Sequence, residues 1–160
     1  MGTRGSIFAL AAGVALGAGA AEAATISQQQ NDIFGSYGRA NVTITDNSSS
    51  FTDVRAGAFA LTDDGADSFN PALGDFVAFC LDIFNAIDLP STYDTTDTPF
   101  SGTTDPGEFS ATQVDAVQTL FNTAYATVNL ASNAAAAGFQ LALWEVLYED
   151  DGASDGYDID

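Results

Sequence analysis

Between residues 25 and 88 the apolar positions come in short runs broken by turn residues, and "RANVTITD", "SFTDVRAGAFALTDDG" and "GDFVAFCLDIFNAI" read as strands. In the first, Val42 and Ile44 alternate with Thr43 and Thr45, the pattern of a strand with one wet face. The breaks "DNSSS", "DDGAD" and "NPALG" supply the Asn, Asp, Gly and Pro that turns require. Over residues 76–84 the alternation has another character. Val77, Phe79, Leu81 and Ile83 share one face, while Phe76, Ala78, Cys80, Asp82 and Phe84 share the other. Both faces are apolar enough to be covered, so Cys80 is expected in a central strand, with Asp82 as the polar exception two residues on.

Residues 90–109 are rich in Thr, Asp, Pro and Gly without a sustained period, and read as a long surface loop. The period then becomes helical. Ser110 and Gln113 fit a capping box, and Val114, Val117, Leu120, Phe121, Ala124, Tyr125 and Val128 recur on one side of a helix of about four turns. A second helix follows the candidate caps Ser132 and Asn133 and runs to Tyr148, where "EDDGASDG" ends it. On it Gln140, Trp144 and Leu147 share a face, with Leu143 and Ala137 beside them and Glu145 and Glu149 on the wet edge. The pattern predicts an α+β fold, mainly β, with an antiparallel sheet or sandwich and two α-helices packed against it. One domain over residues 24–160 is expected, continuing past "DGYDID", where a further strand starts.

Composition changes this picture at the N-terminus. "MGTRGSIFALAAGVALGAGAAEAA" has a basic start at Arg4, an apolar stretch and an A-x-A site at residues 21–23, so residues 1–23 read as a secretory signal peptide. Export to the cell surface or medium is the expectation, and no later stretch has the length and apolarity of a membrane span. The chain carries 22 acids against 3 bases, a formal net charge of -19 and no histidine. Clustered Lys and Arg are what hold phosphates, so nucleic acid is excluded as a partner. The lack of His removes the usual general base and the commonest metal ligand, which argues against a conventional enzyme, a metal site or a cofactor.

Two features then stand together. Gln140 lies among apolar residues, and Cys80 is the only cysteine, so it has no disulfide partner within the chain. A buried amide costs about 1–3 kcal/mol unless it is hydrogen-bonded. In the structural reading Gln140 bonds a strand-edge carbonyl or the Trp144 indole, and Cys80 fills space as a small hydrophobe. In the chemical reading the Cys80 sulfur attacks the Gln140 carboxamide, expels ammonia and leaves an intramolecular thioester. The partners are 60 residues apart, so folding must supply the proximity.

The stretch "FVAFCLDI" followed at a distance by "AAGFQLALWEVLYED" resembles the motif pair of bacterial thioester domains, an aromatic-cysteine strand and a helix with a Gln-x-Ala-hydrophobic-Trp core. That core is matched by Gln140, Ala142, Leu143 and Trp144. The resemblance implies an exported surface protein whose Cys80–Gln140 thioester couples, as in an adhesin, to an amine or hydroxyl on a surface protein or polysaccharide. Phe139 and Trp144 are then pocket walls and Asp82 a polar neighbour. The signal peptide, acidity, lack of lysine and Ala-rich approach to Gln140 resemble more closely the secreted Gram-negative proteins with PEP-CTERM or VPLPA-CTERM sorting tails. Phe139 departs from the pattern, which usually has a small hydroxyl residue there, and no sorting tail lies within these residues.

Two other classes compete. "TDDGAD", "DTTDTPFSGTTD" and "EDDGASDGYDID" crowd carboxylates into loops, as calcium sites do, although none has EF-hand spacing. A purely structural matrix or biofilm protein would keep Cys80 and Gln140 as core residues. Oligomeric state is not encoded in any pattern found.

Overall fold

The computed structural model describes residues 7–8, 23–45, 50–63, 73–83, 87, 89–94 and 109–148. The fold is α+β, with two antiparallel sheets and two helices. The chain divides into two compact units, each assembled from two separate stretches.

The first unit comprises residues 1–35 and 59–109. Its strands are β1 (Ile7–Phe8), β2 (Ala23–Gln28), β5 (Phe59–Asp63), β6 (Gly74–Cys80) and β7 (Ser91–Asp94), in the order β1-β6-β5-β2-β7. The strong pair is β5–β6, in register from Phe59↔Ala78 to Asp63↔Gly74. Alternate side chains of these strands, Ala24, Ile26, Phe59, Leu61, Phe76, Ala78 and Tyr93, meet in one cluster with Phe34 from the turn after β2, which stands edge-on to Phe59 at 5.3 Å. Gln29 fastens the pair from outside the ladder. Its Nε2 donates to the Leu61 carbonyl at 2.7 Å and to the Phe76 carbonyl at 3.4 Å. Asp63, which the sequence pattern assigns to an acidic loop, is buried, and its Oδ2 accepts the Leu73 N–H at 2.8 Å. This bond links the last residue of β5 to the residue before β6.

The second unit comprises residues 36–58 and 110–160. Strands β3 (Arg39–Thr45) and β4 (Ser50–Gly57) form a hairpin whose register shifts between Val42 and Ile44. Asp53, at φ 60°, carries the extra residue of this bulge. Helix α1 (Ala111–Ala124) passes into a 3-10 turn (Tyr125–Thr127), and helix α2 (Asn133–Tyr148) follows. The capping box is formed as expected: Ser110 Oγ accepts the Gln113 N–H at 3.2 Å, and Gln113 Oε1 accepts the Ser110 N–H at 2.8 Å. Gln113 also donates through Nε2 to the Leu147 carbonyl at 2.6 Å, tying the start of α1 to the end of α2. Helix α2 packs on β3 and β4, and α1 packs on α2.

Three boundaries differ from the periodicity. The run "SFTDVRAGAFALTDDG" is two strands, β4 and β5, which separate at Ala58 and belong to different units. Gly57 is the one local mark of that break, and the small apolar residues Ala56 and Ala58 on either side of it continue the apolar run. Strand β6 ends at Cys80, short of residue 84, and β7 occupies Ser91–Asp94 inside the stretch read as loop. Residues 95–108 of that loop, and Glu149 and the segment after it, lie outside the described residues.

Candidate functional site

Cys80 is the last residue of β6, and alternation puts it on the same side as Phe76 and Ala78, against the core cluster of the first unit. As a residue it keeps some accessible surface, but protein surrounds the sulfur. Desolvation pushes the thiol up from 9.0 to about 12, opposed by a hydrogen bond from Sγ to the Asp82 carbonyl at 3.1 Å and reinforced by the Asp82 carboxylate. The hydrogen bond from Cys80 to Asp82 uses the backbone oxygen of Asp82. On its other side β6 pairs with β1: Ile7 lies opposite Cys80 and Phe8 opposite Phe79. The strand is therefore central only through two residues of the stretch read as a signal peptide.

Gln140 lies in the middle of α2, in the second unit, and is 0% exposed. The face read from the sequence is the buried one: Ala136, Ala137, Phe139, Gln140, Leu143, Trp144 and Leu147 are all buried, and Glu145 is exposed. Ser132 caps the helix with Oγ accepting the Ala135 N–H at 3.4 Å, while Asn133 Oδ1 accepts the Arg39 N–H at 3.1 Å, which anchors α2 to the start of β3. Phe139 belongs to an aromatic cluster, edge-on to Phe121 at 5.1 Å and tilted against Tyr125 at 5.8 Å. It packs toward α1 as a core residue.

Trp144 is 2% exposed, and its indole Nε1–H has no hydrogen-bond partner among the described residues. The Gln140–indole bond of the structural reading is not made. Sequence pattern cannot reveal such a donor, since most buried indole N–H groups find an acceptor.

Among the described residues no group of three or more His, Cys, Asp or Glu side chains is placed to hold a metal ion. Most of the acidic loops considered for calcium lie outside the described residues. No described helix is long and apolar enough to cross a membrane. Comparison of the chain with family models, with curated proteins and with solved structures finds no match.

Proposed function

We propose that this is an exported surface or matrix protein that attaches covalently to a target through a thioester between Cys80 and Gln140. The observation that carries the reading is the fully buried carboxamide of Gln140 in the middle of an apolar helix face. Cys80 supports it: its sulfur is enclosed by apolar side chains and held as the neutral thiol. Water is thereby kept from each group by its own unit, and a thioester survives only where water is excluded. The chain also lacks lysine, so it brings no side-chain amine of its own to consume an activated acyl group.

In the closing step Cys80 Sγ adds to Gln140 Cδ, the C–N bond breaks, and the thiol proton leaves with the amide nitrogen as ammonia. In the capture step an amine or hydroxyl of the target adds to Cδ and the C–S bond breaks. The nucleophile's proton returns to sulfur, and the target is left joined to Gln140 as an amide or ester. The acyl group is consumed once, so no turnover follows and the protein is not an enzyme in the ordinary sense.

Intact mass of the denatured mature protein tests the reading. A mass short by one ammonia, with Cys80 closed to alkylation, is expected. Methylamine should then add its own mass and release an alkylatable thiol. A full mass with a free Cys80 rejects the reading unless Gln140 has become glutamate, which marks a bond formed and hydrolysed. The rival structural reading expects neither mass change, and the calcium reading expects a midpoint of thermal unfolding that rises with calcium at fixed ionic strength.

A further inference from the structure

The indole N–H of Trp144 is a buried donor with no acceptor among the described residues. Such a group costs about 1–3 kcal/mol if it is never used, and each instance in a folded protein needs an explanation. Its place on α2 offers one. Trp144 follows Gln140 by four residues, so both occupy one face, and both are buried, at 2% and 0% exposure. Side chains on a helix lean toward its N-terminus, so a residue covers the turn that precedes its own Cα. For Trp144 that turn contains Gln140.

We propose that Trp144 Nε1–H is the oxyanion donor for acyl chemistry at Gln140, a role that rests on the thioester reading above. When sulfur adds to Cδ, the C=O π electrons move onto Oε1, and the tetrahedral intermediate carries its negative charge there. The indole N–H donates to that oxygen. The charge returns to the C=O bond as the C–N bond breaks and ammonia leaves with the thiol proton. Capture by an amine passes through the same oxyanion, and there the C–S bond breaks. A donor that is unpaired in the ground state and paired in the transition state lowers the barrier, whereas one already bonded to Gln140 would stabilise both states. The apolar surroundings strengthen the effect, because no water competes for the oxygen.

Replacing Trp144 by β-(3-benzothienyl)alanine tests the assignment, since that side chain keeps the bicyclic outline and substitutes sulfur for the N–H. Trp144→Phe is the simpler companion variant. Methylamine opening, read as release of the Cys80 thiol, should slow by roughly 100- to 1000-fold, the usual loss for one oxyanion donor. A benzothienyl chain that never loses ammonia also supports the assignment, provided that its fold is intact. That fold is checked in a Cys80→Ala background, where no bond contributes: the thermal midpoint should equal or exceed that of Cys80→Ala alone, because the substitution removes a buried donor that costs stability while it is unpaired. Opening at the wild-type rate overturns the assignment and leaves the thioester standing. A collapsed midpoint in the Cys80→Ala background also overturns it, because Trp144 then acts through packing. If the wild-type chain shows no ammonia loss, the thioester and the donor role fall together.

Discussion

At the scale of single residues, the feature with the clearest consequence is the thiol of Cys80. Its folded value of about 12 lies above the 9.0 of an exposed cysteine because burial penalises the thiolate. In a chain whose thioester is open, the unfolded state therefore releases the thiol proton from pH 9 upward while the folded state keeps it. The unfolded state then binds fewer protons, so stability is unaffected below pH 9 and declines as the pH rises toward 12, by on the order of 1 kcal/mol per unit. A closed thioester has no thiol to titrate and should show no such decline from this group. Urea midpoints between pH 8 and 11, measured before and after methylamine treatment and with Cys80→Ala as reference, check this. If opened chain and Cys80→Ala decline alike over that range, the thiol is not desolvated. Iodoacetamide at pH 8 should likewise alkylate opened Cys80 far more slowly in the folded chain than in guanidinium, because the thiolate is the reactive form.

At the scale of elements, two glycines predict opposite outcomes within the second unit. Gly38 donates its N–H to the Leu130 carbonyl at 2.7 Å, and a Cβ there would stand 2.4 Å from the carbonyl carbon and oxygen of Ser132. Gly138 lies inside α2, is exposed, and a Cβ there meets nothing within 4 Å. Gly138→Ala should therefore raise stability by about 1 kcal/mol through helix propensity, and Gly38→Ala should lower it by roughly 1–3 kcal/mol through overpacking against backbone. Chemical denaturation of the two variants checks both signs, and a neutral Gly38→Ala would mean that the loop before α2 yields freely. These elements also show what the sequence reveals and why. Helix α2 matches its predicted span, and α1 starts at its predicted cap, because the capping residues and the 3.6-residue period are local properties. The β4–β5 break at Ala58 and the pairing of Cys80 with Ile7 are tertiary, and alternation within a strand carries no record of which strand lies beside it. The burial of Gln140 followed from its apolar neighbours on the helix, but the unpaired indole four residues on did not, since hydrogen-bond partners depend on what packs across the face.

At the scale of the whole molecule, the two groups of the proposed bond belong to different units, Cys80 to the first and Gln140 to the second. They are 60 residues apart in sequence, so a thioester would act on the unfolded chain as a crosslink, whatever it does chemically. Closing a loop of that length removes unfolded-state entropy equivalent to about 4 kcal/mol in the chain-entropy account used for disulfides. Opening the bond with methylamine should therefore lower the thermal midpoint by on the order of 10 °C without any change of native packing. The formal charge of -19 makes ionic strength a second variable, because self-repulsion is screened by salt. Methylamine replaces one neutral acyl group by another, so the charge is the same in closed and opened chains at neutral pH, and their difference at fixed salt reports the crosslink. Calorimetry of both forms, with Cys80→Ala carried through the same treatment as a control whose midpoint stays put, checks the expectation. Equal midpoints for closed and opened chains would show that the bond does not restrain the unfolded state, and would leave it a role in capture alone.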